Sequence, residues 1–165
     1  MQWFQDEELD WDAVYAEQLP RIYNYFRFRL GGETEAEELT AATFEKAWRA
    51  RHRYRRDVAA FSTWLLRIAR NLAVDHLRSR RTLLPIDDAL ELVGEEDHAA
   101  LLELTSDLAR LAKLTVALSE RDRELIALKY GASLTNRQIA RFCGLSESNV
   151  GTIIHRLVQG LRARW

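Results

Sequence analysis

The sequence predicts an all-α protein made of two small helical domains joined by an acidic linker. Apolar residues recur with a helical period along most of the chain, and no stretch shows the sustained alternation that is typical of a strand. At 165 residues, 47% of them hydrophobic, the chain is long enough to fold as one domain or as two small ones. Capping signals and breaks favour two domains. We predict an N-terminal domain over 1–81, a linker over 82–97 and a C-terminal domain over 98–165.

The N-terminal domain is predicted to contain three helices. The first spans about 11–30, with a bend or a restart at Pro20 and a stop at the glycine pair that follows. The second begins with a capping box of Thr34 and Glu37 and reaches a basic loop. The third covers about 59–81, where apolar residues at helical spacing form a continuous stripe.

The C-terminal domain is predicted to contain a helix-turn-helix. Thr135 and Gln138 form a capping box at the start of its first helix, and Ser146 can cap the second. Ala140 provides the small residue where the two helices touch, and Gly144 suits the left-handed turn between them. Such a unit usually presents its second helix to a DNA groove. The four predicted helices of this domain span about 98–118, 120–130, 135–142 and 146–163.

Charge is segregated along the chain although the net charge is only −1. Residues 49–81 carry 10 basic and 2 acidic side chains, and residues 121–165 carry 8 and 3. The segments before and between them are acidic. Because a polyanion responds to the local field, each basic block is a candidate contact surface for nucleic acid.

One face of the third helix combines residue types that suit single-stranded nucleic acid. Trp64, Arg67, Asn71, Val74 and Arg78 fall together on a helical wheel, beside the apolar stripe. A ring can stack on an unpaired base, an amide can bond a base edge, and guanidinium groups can hold phosphates. The alternative interpretation is that the ring is core and the arginines are a solvated face. The preceding loop, 51–60, favours the first, because its clustered arginines repel one another unless an anion is near.

The last helix carries polar side chains opposite its apolar stripe, and these are predicted to face a duplex groove.

The sequence contains no pattern typical of an enzyme or a metal site. The histidines are scattered, and no metal-ligand spacing, phosphate-cradling loop or nucleophile motif is found. We therefore expect no enzymatic activity, no metal and no cofactor. The single cysteine excludes an internal disulfide. The acidic N-terminus is not a secretory signal, and no apolar run could span a bilayer, so we expect a cytoplasmic protein with no membrane insertion.

Three motifs in order resemble a bacterial RNA polymerase sigma factor of the extracytoplasmic-function (ECF) group, which keeps only regions 2 and 4. AEELTAATFEKAW (36–48) resembles region 2.2, and FSTWLLRIARNLAVDHLR (61–78) resembles regions 2.3 and 2.4. The stretch from LSERDRELIALKYG to LSESNV (118–150) resembles region 4. The resemblance makes 1–81 region 2 and 98–165 region 4. It implies binding to core RNA polymerase and to promoter DNA, both duplex and single-stranded non-template strand, with an anti-sigma factor as a further partner.

The resemblance also implies site residues. The minus-ten element would be bound by the loop and the third helix, through Arg53, Tyr54, Arg55, Arg56, Trp64, Arg67, Asn71 and Arg78. The minus-thirty-five element would be read by the last helix, through Ser148, Asn149, Thr152, His155 and Arg156. Core polymerase would be bound by the second helix, through Glu37, Glu38, Thr40, Glu45 and Arg49.

The chain departs from the family pattern in two places. Ala41 and Ala42 stand where the polymerase-docking motif commonly has a glutamine and an acidic residue. Gly151 and Ile153 stand where basic residues often follow the valine of the recognition helix. Two other functions stay open: an autonomous helix-turn-helix regulator that binds duplex operator DNA, and a helical interaction module without a DNA partner. A duplex reader has no use for a base-stacking site, which disfavours the first of these.

Overall fold

The structure, a computed structural model, describes residues 9–83 and 106–165. Within these ranges the chain forms helices and no strand, which confirms the predicted all-α class. The α-helices described are α1 (Trp11–Leu30), α2 (Glu33–Arg49), α3 (Phe61–Leu83), α4 (Ser106–Val116), α5 (Glu120–Ile126), α6 (Asn136–Cys143) and α7 (Glu147–Arg164). A 3₁₀ turn, Arg51–Arg53, follows α2, and a π-turn, Ala127–Gly131, follows α5. From residue 84 onward the predicted linker lies outside the described residues, as does the start of the helix predicted near 98.

Helix α1 begins at a side-chain cap and ends at a glycine of positive φ. The Asp10 carboxylate accepts the Ala13 N–H at 3.2 Å, which satisfies one of the free donors of the first turn. The helix continues through Pro20 without a restart. At its end Gly31 has φ +86°, and its N–H donates to the Arg27 carbonyl at 2.9 Å. The chain changes direction at Gly31, and α2 begins two residues later.

The start predicted for α2 is wrong. Gly32, not Thr34, is the N-cap, and no side-chain capping bond forms there. The Ala36 N–H donates to the Gly32 carbonyl at 3.2 Å, so the helix has begun before the predicted capping box. Glu33 and Glu35 lie in the first turn, where negative charge is favoured by the helix dipole. The reversal at Gly31 and the complete burial of Ala36 decide where the helix begins.

Helices α1, α2 and α3 pack around a common apolar core. Helix α3 starts two residues later than predicted and extends two residues further, so that residues 82 and 83 belong to it. Its predicted apolar stripe faces inward as expected. The core side chains of this half are Ile22, Phe26, Leu30, Ala36, Phe44, Ala47, Leu65, Leu66, Ala69 and Ala73.

The predicted helix-turn-helix is present as α6 and α7. The Thr135 hydroxyl accepts the Gln138 N–H at 3.2 Å, and the Gln138 side chain accepts the Thr135 N–H at 2.9 Å, which completes the capping box. Gly144 adopts the left-handed conformation at φ +69°. The Ser146 hydroxyl then accepts the Asn149 N–H at 3.1 Å and caps α7. These contacts confirm the predicted boundaries.

The two halves of the chain meet where α1 packs on the π-turn. The sequence predicts one helix that continues to about residue 130. From residue 127, however, a backbone hydrogen bond spans five residues instead of four: the Ala132 N–H donates to the Ala127 carbonyl at 2.9 Å. Gly131 is buried there against α1. A Cβ atom at Gly131 would lie 2.7 Å from the Asn24 carbonyl oxygen and 2.8 Å from the Tyr25 Cα. The absence of a side chain allows this close approach of two backbones.

Candidate nucleic-acid interface

Aromatic rings hold the basic loop against α3. The Tyr54 ring lies 5.3 Å, centroid to centroid, from the rings of both Phe61 and Trp64. Trp11 closes the cluster from α1, at 5.4 Å from Phe61 and 5.1 Å from Trp48. Ring pairs at such distances add stability beyond their buried area. The loop and the first turn of α3 therefore form one surface. We define the strand face as this surface together with Arg67, Asn71 and Arg78, which lie on the same side of α3.

The predicted residues of α3 do lie together and reach solvent. Trp64 is half-buried in the aromatic cluster, whereas Arg67, Asn71 and Arg78 are exposed along the following turns. Val74 lies half-buried between them. The strand face thus presents a half-buried ring, an amide and two guanidinium groups along one side of α3.

The arginines of the loop differ in the contacts that they make. Arg55 donates to Asp57 through two bonds of 3.2 and 2.7 Å, and this contact lowers the pKa of the Asp57 carboxyl and raises the pKa of Arg55. Arg53 and Arg56 are also exposed. Arg51 instead stacks on the Trp48 ring, 4.0 Å from its centroid. A phosphate bound by Arg55 must compete with Asp57.

The predicted groove-facing residues of α7 are all exposed: Ser148, Asn149, Thr152, His155 and Arg156. The Thr152 hydroxyl donates to the Ser148 carbonyl at 3.0 Å, so it keeps only acceptor capacity for a base edge. Arg137 of α6 pairs with Glu147 at 3.2 Å and joins the two helices at the exposed start of α7.

Gly151 and Ile153 lie beside the exposed row of groove-facing residues of α7 and do not belong to it. Both are half-buried, and a Cβ atom at Gly151 would contact the Asn136 amide of α6 at 3.4 Å. Position 151 therefore faces the first helix of the motif. The absence of basic residues at these two positions therefore removes no side chain from the exposed row of α7.

Four of the five residues predicted to bind polymerase share an exposed face of α2. Glu37, Glu38, Glu45 and Arg49 are exposed, and Glu45 pairs with Arg49 at 2.6 Å. Thr40 differs, because it is 4% exposed and its hydroxyl donates to the Ala36 carbonyl at 2.6 Å. The expectation of a direct contact from Thr40 does not fit this position, since the side chain is enclosed between α2 and its neighbours.

Comparison with known proteins identifies the family. Residues 14–82 match the family model of Sigma-70 region 2, and residues 108–159 match that of Sigma-70, region 4. ECF RNA polymerase sigma factor SigK of Mycolicibacterium vanbaalenii is 30% identical over 155 residues, which cover 92% of this chain and 78% of that protein. The chain belongs to the ECF sigma factors. It is thus an RNA polymerase sigma factor, which binds core polymerase and promoter DNA in transcription initiation, and the autonomous regulator is not favoured.

Two further likenesses complete the comparison. ECF RNA polymerase sigma factor BldN of Streptomyces coelicolor is 30% identical over 153 residues, and the match covers 90% of this chain but 57% of BldN. The sigma factor RpoE of Bartonella quintana, solved in complex with the anti-sigma factor NepR, superimposes with a TM-score of 0.72. That match covers 94% of this chain and 96% of that chain at 20% identity, which shows a shared fold.

Helix α3 of the sigma factor also contacts the C-terminal half, mostly through residues outside the predicted sites. Arg70 of α3 binds Glu124 of α5 through bonds of 2.5 and 3.3 Å. The Phe142 ring of α6 lies under the guanidinium groups of Arg67 and Arg70, at 5.0 and 5.6 Å. Arg70 is not among the predicted site residues, and no pattern in the sequence indicates that Glu124 is its partner. Among the described residues, no helix is long and apolar enough to cross a membrane, and no three metal-ligating side chains cluster.

Proposed function

We propose that this sigma factor captures the non-template strand of the minus-ten element on its strand face. The observation that carries the proposal is the packing of Tyr54 on Trp64, which joins the arginine-rich loop to the exposed Arg67 and Asn71. Duplex DNA hides the ring faces and the paired edges of its bases from such a surface. A base that has been extruded from the duplex can contact the ring, the amide and the arginines at the same time.

The chemistry of the strand face fits the energetic demand of base extrusion. Unstacking and unpairing one base costs a few kcal/mol. Stacking on an aromatic ring returns about 1–3 kcal/mol per base, and each phosphate neutralised by an arginine adds a salt-dependent contribution. Trp64, or Tyr54 beside it, supplies the ring, Asn71 the base-edge bonds, and Arg53, Arg56, Arg67 and Arg78 the cations.

Replacing Asn71 tests this assignment. Asn71→Ala removes the amide without disturbing the aromatic cluster, so we expect core-polymerase binding to be unchanged while promoter opening falls about tenfold. Trp64→Ala should lower opening as well, although it also removes a ring from the cluster. The control is Ser79→Ala, an exposed α3 position about 100° around the helix from the strand face.

The measurement is run-off transcription on a promoter selected with the wild-type holoenzyme from a genomic fragment library. The same promoter with a pre-melted minus-ten bubble should partly restore the Asn71→Ala holoenzyme, because extrusion is then already done. Equal run-off by wild type, Asn71→Ala and Trp64→Ala would remove the strand face from the mechanism.

We assign the two other surfaces in the same way. The exposed row of α7 contacts base edges of the minus-thirty-five element through Ser148, Asn149, Thr152 and His155, with Arg156 on phosphate. The exposed face of α2 docks on core polymerase through Glu37, Glu38, Glu45 and Arg49. In this assignment residues 1–81 act as region 2, residues 98–165 act as region 4, and the linker predicted over 82–97 joins them, with its first two residues forming the end of α3. The protein works in the cytoplasm and performs no catalysis itself.

We also propose that an anti-sigma factor binds this protein. The support is the shared fold with a sigma factor solved in such a complex, together with an apolar groove of about 350 Å³ that is lined by Phe28 of α1 and otherwise by residues of the C-terminal half. Its walls include the exposed rings of Tyr130 and Trp165. Tyr130→Ala with Trp165→Ala should raise transcription from the target promoter in cells and leave run-off by the purified holoenzyme unchanged. Unchanged promoter activity in cells would count against this groove as the inhibitor's site.

A further inference from the structure

Arginines from the last turns of three helices lie together on the side of α3 that faces away from the strand face. Arg29 belongs to α1, Arg80 to α3 and Arg123 to α5. The charges of Arg29 and Arg80 both act on Arg123. Arg80 lies about 180° around the helix from Asn71. We call these three residues the arginine cluster.

Arg29 is the buried member of the arginine cluster. It is 4% exposed, and its Nε and Nη1 atoms have no hydrogen-bond partner among the described residues. The Tyr25 hydroxyl lies near it, but a neutral hydroxyl does not balance a charge. Removing a guanidinium from water is costly unless the charge is paired and hydrogen-bonded. Arg29 therefore has donors and a charge that call for an anion.

The carboxylates around the cluster do not supply that anion. Each of them pairs with another arginine: Glu35 with Arg80, Glu120 with Arg81, and Glu124 with Arg70. Within residues 9–83 and 106–165, this part of the protein thus holds more guanidinium groups than carboxylates, and the excess includes the most deeply buried guanidinium.

Backbone carbonyls hold Arg123 beside the end of α1. Its Nε atom donates to the Thr115 carbonyl at 3.1 Å, and its Nη2 atom donates to the Val116 carbonyl at 2.5 Å. The Val116 side chain lies against Gly31, where a Cβ atom would be 3.7 Å from it. Because Gly31 follows Arg29 by two residues, the two guanidinium groups are brought close together. Burial, together with the Arg29 charge, lowers the pKa of Arg123.

We propose that the arginine cluster binds a small tetrahedral oxyanion of the phosphate class, held by the Nε and Nη1 atoms of Arg29 and by the charges of Arg80 and Arg123. Guanidinium groups match the geometry of phosphate oxygens. A phosphate ion offers several acceptor oxygens and balances the charge, whereas a water molecule carries no charge.

The burial of Arg29 favours a free ion over a phosphate that is attached to a larger molecule. The arginine cluster contains no residue of the strand face, of the exposed row of α7 or of the docking face of α2. The oxyanion site is therefore independent of the functions assigned to those surfaces.

Equilibrium dialysis of the full chain with radiolabelled orthophosphate tests the site. Arg29→Met removes the guanidinium and keeps an apolar side chain of similar length, so it should bind about one equivalent less than wild type. Arg21→Met, which replaces an exposed arginine of the same helix, is the matched control and should bind as wild type does. Arg29→Lys keeps the charge without the planar group, and we expect about tenfold weaker binding.

Thermal unfolding provides a second readout. Phosphate at about ten times its Kd, added at constant ionic strength, should raise the Tm of wild type by about 3–6 °C, because it binds only the folded form. The Arg29→Met variant should lose this rise. In phosphate-free buffer it should be at least as stable as wild type, because it no longer buries an unpaired charge.

The outcomes separate the oxyanion site from other effects. If Arg29→Met binds as much phosphate as wild type, or gains the same Tm on its addition, only a general salt effect acts and the site is refuted. Displacement of labelled phosphate by adenosine monophosphate at equal concentration would overturn the assignment to a free ion. Asn71→Ala should bind phosphate as wild type does, so failure of the oxyanion site leaves the strand face untouched.

Discussion

A methyl group at Gly131 should destabilise this protein, against the ordinary effect of replacing glycine by alanine. In a helical segment that exchange normally stabilises by about 0.5–1 kcal/mol, because alanine loses less backbone entropy. At Gly131 the new Cβ would lie 2.7, 2.8 and 2.9 Å from backbone atoms of Asn24 and Tyr25. Backbone cannot rotate aside as the end of a side chain can, so α1 and the π-turn must move apart.

The required movement sets the magnitude. Restoring ordinary contact means increasing the shortest distance from 2.7 Å to at least 3.4 Å. A gap of this size forfeits about a quarter to a half of the dispersion energy between the atoms it separates. Overpacking in a well-packed core costs about 1–3 kcal/mol. After the gain in backbone entropy we expect a net loss of about 1–2 kcal/mol, or a fall in Tm of about 2–8 °C.

Gly160 provides the matched control. It lies inside α7, and a Cβ there would meet only the end of the Arg164 side chain at 3.8 Å. Gly160→Ala should therefore raise the stability by about 0.5–1 kcal/mol. Urea unfolding followed by circular dichroism at equal protein concentration compares the variants with wild type. A Gly131→Ala protein as stable as wild type, beside the expected gain for Gly160→Ala, would refute the close backbone contact.

Three more predictions concern the C-terminal half. Thr135→Ala removes one half of the capping box and should lower the free energy of unfolding, measured by urea unfolding, by about 1 kcal/mol. An unchanged free energy of unfolding would mean that the cap does not form. Arg156→Ala should weaken binding of duplex minus-thirty-five DNA and reduce the slope of log K against log salt by about 1, whereas an unchanged slope would remove Arg156 from the phosphate contacts. Burial raises the pKa of the Cys143 thiol, so less thiolate is present at a given pH. The reaction of Cys143 with iodoacetamide at pH 8 should therefore be slower than that of free cysteine. A rate equal to that of free cysteine would contradict the observed burial.

Local signals predicted the elements best where one short segment determines the geometry. The capping box at Thr135, the left-handed Gly144 and the cap at Ser146 depend only on residues within a few positions of each other, and all three form as predicted. The start of α2 failed for the opposite reason. There the reversal at Gly31 and the packing of Ala36 outweigh a capping pattern that is locally plausible.

The contacts between the two halves could not be predicted from sequence periodicity. Arg70 and Glu124 are 54 positions apart, and each is an ordinary charged residue on the rim of an amphipathic helix. Gly131 could be taken for a helix stop, and nothing in its neighbourhood indicates that α1 lies against it. The exposed residues of the strand face were predictable, because helical spacing alone places them together. The partners that cover part of that face depend on the tertiary arrangement.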